Sequence, residues 1–468
     1  MFEMKQKMGI ILALILAAGS ISGCGSSQKQ ETTAAPVKES GAADTAANVE
    51  KAEASEDEKV TIHFGYWVAD NDTVAKEQFY EVVAKFNEQY PNIEVILDAQ
   101  STNKSDEFEQ KYNLLLLSGD TTDIIGCQSP ASYAIKADKG LLEPIDEFMA
   151  ADGTSISDYT VDTTHKGNVY GLPGESNASI VFLNKDALDE AGLEVPPLNW
   201  TWDDYREYAL KLTKEEGGKK RYGSVAPFWG DPVMYYLGVA QSKDDNPLYK
   251  DENTHNFDDP VLKEWMEFKN QLENIDKTEV SYIDYTTSSL NYNAEFFNGN
   301  SAMLVTGIFA LPYITNTEMY PHDFKTVVTM APRWKDSPEG VERDSCPVLA
   351  INSNASDANK EAAYKFIKFY TNEGLLMRKS LPSYKNVDYE ALADIVVNDR
   401  EDLVDREVLM NYFTYDKRHS HTAVTTPPSN AELQGILKEE GDKYLSGGQT
   451  IEEAIDNMIK RADAVMKK

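Results

Sequence analysis

The sequence predicts an α/β protein of two lobes, and three observations support this fold class. An alternating strand pattern at residues 60–64, a helical pattern and a second apolar run at 93–97 have the spacing of a β–α–β unit in a parallel sheet. The chain has 468 residues, which is enough for two or more domains. Turn-forming Gly and Pro residues at 171–174 precede an apolar strand at 180–183, where we expect the chain to pass from one lobe into the other.

The first predicted lobe repeats the strand–helix pattern. Its first helix carries Phe79, Val82, Val83 and Phe86 at the i, i+3, i+4 and i+7 positions of one apolar face. A second helix and a short buried strand follow. These elements extend the parallel sheet.

Two loops of this lobe follow predicted strands at their carboxyl ends. They cover residues 66–70, after the first strand, and 127–129, after the third. In open parallel sheets, ligands bind beyond the carboxyl ends of the strands. We therefore expect both loops to face a ligand.

The stretch that leads into the second lobe combines polar and aromatic residues. The triplet Glu-Ser-Asn at 175–177 lies between the turn and the apolar strand, and we expect its side chains in the cleft between the lobes. Thr201 precedes a helix whose third residue is Asp204, a variant of the capping box. Trp200 and Trp202 flank this cap, and stapling of the helix start is favoured over ligand contact for both.

Further along the chain, aromatic residues lie where a ligand could meet them. Trp229 stands in a loop between Pro227 and Pro232, where cleft contact and core packing are equally supported. Gly307 and Phe309 follow a predicted strand at its carboxyl end. Both positions are candidates for the cleft.

The N-terminus predicts export and lipid anchoring. Lys5 and Lys7 precede an apolar run at residues 10–18, which is too short to span a bilayer. The sequence Ile-Ser-Gly-Cys that ends at Cys24 resembles the lipobox of bacterial lipoproteins. This resemblance implies a signal peptide over residues 1–23 and acylation of Cys24. An ordinary signal peptide with an incidental Cys is the alternative.

Residues 24–58 are expected to form a disordered tether. They are mostly Ala, Glu, Ser, Thr and Lys and contain no aromatic side chain, so they cannot bury enough apolar surface to offset the ordering entropy. The folded part would then sit outside the cell, lipid-anchored at the outer face of the cytoplasmic membrane.

The composition limits the partners and leaves the cysteine chemistry open. There are 78 acidic and 45 basic residues, and the formal charge is −33. Nucleic acids are bound by clustered Lys and Arg, so we expect no nucleic-acid partner. Cys127 and Cys346 could form one disulfide or remain two buried thiols.

Several short motifs keep a fixed order along the chain. They are Ser118-Gly119-Asp120 with Asp123-Ile124-Ile125, Tyr170-Gly171-Leu172-Pro173, Asn184-Lys185-Asp186, Thr201-Trp202-Asp203, Phe297-Asn298-Gly299, Gly307-Ile308-Phe309 and Glu373-Gly374. Beside the lipobox, this ordered set resembles the extracellular solute-binding proteins of carbohydrate ABC importers, the family that includes maltose-binding protein. The resemblance runs from about residue 60 to the C-terminus.

This resemblance implies a fold of two α/β lobes that are joined by crossing strands and close on ligand by hinge motion. It places the crossings near residues 165–172, 325–331 and 383–387. The lobes are then residues 59–167 plus 326–384, and residues 168–325 plus 385–468.

The resemblance also implies ligand contacts. Asn177 aligns with a sugar-contacting polar residue, and Phe309 aligns with a stacking aromatic that is Trp in many relatives. A pyranose stacks its C–H face on an aromatic ring, and its hydroxyls bind amides and carboxylates. We expect no catalytic residue, no metal and no cofactor. The ligand-binding candidates are Tyr66, Trp67, Asp70, Gln128, Ser129, Glu175, Asn177, Trp229, Gly307 and Phe309.

The expected function is capture of a sugar or oligosaccharide by a lipid-anchored monomer, which delivers it to the membrane permease of an ABC importer. Two other classes stay open, an exported glycan-active enzyme and a glycan-binding lipoprotein without transport. A glycosidase needs two carboxylates about 5–10 Å apart, which so acidic a chain could supply. The chain has no Gly-x-Ser-x-Gly, His-Glu-x-x-His or phosphate-loop motif. His419 and His421 could bind a metal, but two ligands make a poor site.

Overall fold

A computed structural model describes residues 59–68, 72–99, 105–119, 122–228, 248–251, 253–344, 346–421 and 429–467. The signal peptide and tether expected for residues 1–58, including Cys24, lie outside these residues, and so do Asp70 and Trp229. No helix in the described part of the chain is long and apolar enough to cross a bilayer.

The described residues form strands, α-helices and short 3-10 and π turns. The strands are β1 (Val60–Tyr66), β2 (Ile93–Ala99), β3 (Ile124–Cys127), β4 (Thr164–His165), β5 (Asn168–Val169), β6 (Gly171–Pro173), β7 (Ser179–Asn184), β8 (Lys214–Glu216), β9 (Lys219–Arg221), β10 (Tyr249–Asp251), β11 (Thr254–His255), β12 (Met303–Gly307), β13 (Thr326–Met330), β14 (Val341–Arg343), β15 (Val348–Ile351) and β16 (His419–His421). The α-helices are α1 (Thr73–Gln89), α2 (Ser105–Leu117), α3 (Pro130–Asp138), α4 (Asp146–Asp152), α5 (Lys185–Ala191), α6 (Trp202–Leu212), α7 (Pro260–Asn270), α8 (Tyr282–Ser288), α9 (Tyr292–Phe297), α10 (Asp357–Phe369), α11 (Leu375–Met377), α12 (Tyr389–Val397), α13 (Arg406–Phe413), α14 (Asn430–Leu445) and α15 (Ile451–Met466). The 3-10 turns are Ile156–Asp158 and Ile308–Tyr313, and the π turns are Gln271–Ile275 and Tyr370–Gly374.

The first sheet has the strand order β2–β1–β3–β15–β6. Strand β1 is parallel to both of its neighbours, whereas β15 is antiparallel to β3 and β6. Cys127 at the end of β3 pairs with Val348, which pairs in turn with Pro173 at the end of β6. The carboxyl ends of β1, β3 and β6 therefore lie along one edge of the sheet, as the β–α–β pattern predicts for β1 and β3.

Helix α1 covers this sheet with the apolar stripe that its sequence predicts. Phe79, Val82, Val83 and Phe86 are all buried. Phe86 packs edge to face on Phe366 of α10, with ring centroids 5.1 Å apart. Full burial of one such side chain stabilises the fold by about 1.5–3 kcal/mol, so the helical periodicity decides which face of α1 meets the core.

The second sheet has the strand order β12–β7–β13, and β7 is antiparallel to both neighbours. All residues of the three strands are buried, so other elements cover both faces of the sheet. The prediction that residues 326–384 belong to the first lobe is wrong for β13, because this strand pairs with β7 along its whole length. Its apolar sequence fits either sheet, and only the pairing partner decides between them.

Within the described residues, the chain passes between the two sheets three times. The first crossing joins Pro173 to Ser179, and the second joins Met330 to Val348. The first begins after its predicted range, 165–172, and the second begins only at the end of its predicted range, 325–331, because β6 and β13 still pair within the sheets that they leave. The third lies between α11, which packs in the hydrophobic core beside the first sheet, and α12, which packs against the second sheet. It includes the predicted range 383–387.

The start of α6 forms as the sequence predicts. Thr201 Oγ1 accepts a hydrogen bond from Asp204 N at 3.2 Å, and Thr201 N donates to the Asp204 carboxylate at 2.8 Å, which completes a capping box. Trp200 and Trp202 are buried, and Trp200 packs on Tyr205 with ring centroids 5.7 Å apart. Stapling is therefore the confirmed interpretation for Trp200, and both tryptophans are scaffold.

Cys127 and Cys346 are both buried, and both are free thiols. Burial raises the pKa of Cys127 to about 12 and raises the pKa of Cys346 well above its ordinary value. A protonated, buried thiol is a poor nucleophile and behaves as a small apolar side chain. Of the two possibilities that the sequence leaves open, the structure has the pair of buried thiols.

Candidate functional site

The edge formed by the carboxyl ends of the first sheet gathers the predicted loops. Trp67 follows β1, Gln128 follows β3 and Gly174 follows β6. Strand pairing keeps these ends level, so the three loops begin side by side. This edge is the position at which open α/β sheets bind ligands.

Tyr66 and Trp67 leave β1 towards opposite faces of the sheet. Tyr66 is buried with its ring centroid 4.0 Å from that of Phe79, and burial raises the pKa of Tyr66 to about 12. Trp67 is partly exposed and packs against the cluster that contains Phe108 and Tyr112. Its indole N–H is buried and has no acceptor among the described residues. Such a donor costs free energy unless a ligand or water accepts from it.

Ser129 has a structural use that the sequence analysis did not assign. Its Oγ accepts a hydrogen bond from Ser132 N at 3.2 Å and caps α3, with Pro130 at the first position of the helix. Ser followed by Pro is a typical helix start, so this signal was present in the sequence. Gln128 donates its backbone N–H to Glu109 Oε1 at 2.9 Å, which leaves its partly exposed side chain at the sheet edge.

The polar triplet at 175–177 lies in the first crossing, and two of its residues donate hydrogen bonds to Asp344. Ser176 Oγ donates to Asp344 Oδ2, and Asn177 N donates to Asp344 Oδ1, both at 2.7 Å. The side-chain oxygen Oδ1 of Asn177 is buried and accepts no hydrogen bond from any residue that the structure describes. The backbone of Asn177 is thus fixed while its amide oxygen remains open to a donor.

Gly307 and Phe309 lie at and just after the carboxyl end of β12 in the second sheet. Gly307 ends β12, and Ile308 N donates to the carbonyl of Ala178 at 3.0 Å. This bond joins the end of β12 to the first crossing, one residue from Asn177. The Phe309 ring covers Gly307 and is partly exposed. The structure therefore places the end of β12, with Gly307, against the chain segment that follows Asn177.

Arg378 is a largely buried cation that the sequence did not reveal. Its Nη1 lies 3.3 Å from Glu175 Oε2 and donates to the hydroxyl of Tyr370, and its guanidinium stands 4.0 Å from the centre of the Phe79 ring. Burial opposes the charge, but Tyr370 and Glu175 outweigh it and raise the pKa of Arg378. Glu175 therefore neutralises a neighbour at the cleft and is not a free carboxylate. A lone Arg ahead of a turn has no pattern that would have revealed this role.

The arrangement suits reversible binding of a polar ligand. The indole N–H of Trp67 and the amide oxygen of Asn177 have no partner among the described residues, and the carboxylates of Glu175 and Asp344 have partners. The ring of Phe309 is partly exposed. In the described ranges, no three His, Cys, Asp or Glu residues are grouped so that they could hold a metal ion. The structure thus offers hydrogen-bonding and aromatic groups at the end of β1, in the first crossing and after β12.

The profile of the bacterial extracellular solute-binding proteins matches residues 70–375. The chain belongs to this family. The match includes the second sheet, the first two crossings and every strand of the first sheet except β1. The family predicted from the ordered motifs is therefore confirmed.

Relatives of known sequence and structure agree with this assignment. The solute-binding protein is 25% identical over 339 residues to the maltotriose-binding protein of Pyrococcus abyssi, a match that covers 67% of this chain and 68% of that protein. It is 25% identical over 374 residues to the multiple sugar-binding protein of Streptococcus mutans, covering 74% of this chain and 78% of that protein. An ABC substrate-binding protein of Listeria monocytogenes, solved in complex with cycloalternan, superposes with a TM-score of 0.68 at 22% identity and covers 88% of this chain and 100% of its own. The two-lobed α/β fold predicted from the sequence is confirmed.

Proposed function

We propose that this solute-binding protein captures a sugar or oligosaccharide between its two lobes and delivers it to the membrane permease of an ABC importer. The observation that carries the proposal is a pair of buried polar groups, the indole N–H of Trp67 at the end of β1 and the amide oxygen of Asn177 in the first crossing. Neither has a partner within the described part of the chain. A hydroxyl can accept from the first and donate to the second, which is the dual character of a sugar hydroxyl.

The ring of Phe309 supplies the second element of sugar recognition. It lies beside the first crossing, next to Asn177, and is partly exposed. Stacking of a pyranose on this ring, with hydroxyls bonded at Asn177 and Trp67, would bury the apolar and polar faces of the sugar at once. Closure of the lobes by hinge motion then excludes water and strengthens the polar contacts. The names of the maltotriose-binding and multiple sugar-binding relatives support this ligand class.

The proposal includes an extracellular position and a membrane partner. Cys24 ends the lipobox-like sequence Ile-Ser-Gly-Cys, which supports acylation and anchoring at the outer face of the cytoplasmic membrane. The importer role rests on the family and on the relative described as an ABC substrate-binding protein. We expect a monomer that binds one ligand and does not turn it over.

A ligand panel tests the proposed function. The purified protein is mixed with monosaccharides, oligosaccharides and sugar alcohols, and binding is followed by thermal shift and isothermal titration. We expect one class of sugar to raise Tm and to bind with 1:1 stoichiometry. A panel with no shift would contradict sugar binding, and release of a cleaved or altered sugar on long incubation would indicate an enzyme.

Two matched tryptophan variants test the site. Trp67→Phe keeps an aromatic ring at this position but removes the indole N–H, so we expect sugar affinity to fall about tenfold. Trp334→Phe is the control. The indole nitrogen of Trp334 is also buried without a partner in the described ranges, but its ring packs with Trp265 and Phe268, away from the proposed site. Affinity of the control should stay within about twofold of the wild type. Equal losses in both variants would remove Trp67 from the site.

A further inference from the structure

Asp344 ties the polar triplet to a segment 167 residues later in the chain. Its two carboxylate oxygens accept from Asn177 N and from Ser176 Oγ, both at 2.7 Å. Asp344 is 1% exposed and Ser176 is 3% exposed, so these bonds form away from bulk water. A buried donor that loses its acceptor costs free energy, so the two bonds hold the first crossing on this side.

Arg418 brings a third segment into the same cluster. Its Nε donates to Glu342 Oε2 at 2.7 Å, its Nη2 lies 3.5 Å from Ser176 Oγ, and its guanidinium stands 5.1 Å from the centre of the Tyr412 ring. The side chains of Glu342 and Arg418 are 3% and 11% exposed. Burial raises the pKa of Glu342 although the charge of Arg418 opposes this effect. The guanidinium of Arg418 therefore bonds Glu342 and also reaches Ser176, the residue whose hydroxyl donates to Asp344.

The backbone around this cluster leaves little room for displacement. Strands β14 and β16 pair in parallel, with Glu342 opposite Ser420. Gly340 has φ +78°, and a β-carbon there would lie 2.5 Å from the carbonyl carbon of Lys417. Only glycine allows so close an approach of the two segments in this conformation. The close approach fixes Arg418 relative to Glu342, and hence relative to the first crossing.

We propose that Asp344 and Arg418 are positioning residues for ligand binding, which hold the first crossing so that the amide oxygen of Asn177 faces the cleft. This inference rests on the proposed function. Asn177 is bonded to the protein through its backbone and is open only at its side chain. Without the carboxylate behind it, the segment gains conformational freedom, and ligand binding must then order it.

A double-mutant cycle tests this coupling. In Asp344→Asn, the new NH2 group meets a donor, either the Ser176 hydroxyl or the Asn177 N–H, so one of the two bonds is lost without a change in size. We expect sugar affinity to fall about tenfold in the wild-type background and to change within about twofold in the Asn177→Ala background. An equal loss in both backgrounds would overturn the proposal, because Asp344 would then not act through Asn177.

Two further variants accompany the cycle. Glu339→Gln is the control, because Glu339 pairs with Lys417 at the exposed side of the same two segments and should leave affinity within about twofold. An equal fall for Glu339→Gln would overturn the specific role of Asp344. If Asp344→Asn does not fold, Ser176→Ala removes a single bond to Asp344 and is measured in the same two backgrounds. For Ser176→Ala, too, an equal loss of affinity in both backgrounds would overturn the proposal.

Hydrogen exchange gives a readout that needs no ligand. The amide proton of Asn177 donates to Asp344, and we expect it to exchange about tenfold faster in Asp344→Asn than in the wild type. Unchanged exchange would overturn the positioning role. If no sugar binds the wild-type protein, the proposed function fails, whereas the exchange rate still shows whether Asp344 holds the crossing.

Discussion

The ring of Phe309 covers the backbone of Gly307 so closely that a β-carbon at position 307 would lie 2.5 Å from Cδ1 of the ring. Gly307 has an extended backbone with φ −99°, which any residue adopts, so an alanine there is not strained by its own conformation. Glycine is therefore needed at position 307 so that the Phe309 ring can pack against the end of β12. This relationship places the aromatic candidate of the cleft beside the first crossing.

Gly307→Ala should displace the Phe309 ring and weaken sugar binding about tenfold, while the protein stays folded. Isothermal titration and the thermal midpoint measure the two effects separately. Gly435→Ala is the control, because a β-carbon there meets no atom within 4 Å. Wild-type affinity in Gly307→Ala would show that the ring does not contact the ligand.

Ser129→Ala should lower the free energy of unfolding by about 1 kcal/mol through loss of the α3 cap and should leave sugar affinity almost unchanged. Ser129→Asp provides the matched control, since Asp also caps helices and should retain stability. Urea denaturation and titration with the sugar give the two readouts. A large loss of affinity in both Ser129→Ala and Ser129→Asp, with stability retained in Ser129→Asp, would return this residue to the ligand site.

Lys269→Met should destabilise the protein by about 3–5 kcal/mol, because Lys269 is buried between the carboxylates of Glu273 and Glu279. Burial raises the pKa of Glu273, so its folded form holds its proton more tightly than its unfolded form. Stability of the variant should therefore fall as pH rises from the ordinary pKa of Glu, about 4.3, through the raised pKa.

Urea denaturation at several pH values checks both statements. Lys263→Met on the same helix serves as the control, because Lys263 is 42% exposed and pairs with the exposed Glu452. Its effect should stay within about 0.5 kcal/mol. A loss of the same size in the two variants would mean that the buried carboxylates do not depend on Lys269.

Asp276→Asn should reduce stability by up to about 1 kcal/mol at neutral pH, because Arg206 binds the Asp276 carboxylate through two nitrogens, at 2.6 and 3.1 Å. This bond lowers the pKa of Asp276 below its ordinary value. The stabilisation is therefore complete above the unfolded pKa, about 3.9, and disappears as pH falls through the lower folded pKa. Denaturation curves of the two proteins should converge in acid, and a constant difference down to pH about 2 would contradict this pairing.

Local patterns in the sequence predicted local structure well. The four apolar residues of α1 define a buried stripe, and Thr201 with Asp204 defines a helix start, because both signals depend only on neighbours within one or two turns. The polar triplet lies between a turn and a buried strand, as its sequence position indicates, and its ligand contact remains a prediction. These features required no knowledge of distant segments.

Partners far apart in the chain were not predictable in the same way. The strand Thr326–Met330 was assigned to the wrong lobe because its apolar sequence does not specify which strand it pairs with. Arg378 and Asp344 were missed because their roles depend on Glu175 and Asn177, which lie more than 160 residues away. Ser129 and Glu175 were predicted as ligand contacts from position alone, and their bonding partners give them structural uses.

The position of β15 has a consequence for how the chain matures. This strand lies between β3 and β6 in the first sheet, yet β3 ends at Cys127 and β15 begins only at Val348. A chain that emerges from its N-terminus therefore keeps two unpaired strand edges exposed until the last quarter of its length appears. Such edges invite pairing with other chains, so folding of this protein should be slow and should depend on protection by a chaperone during synthesis.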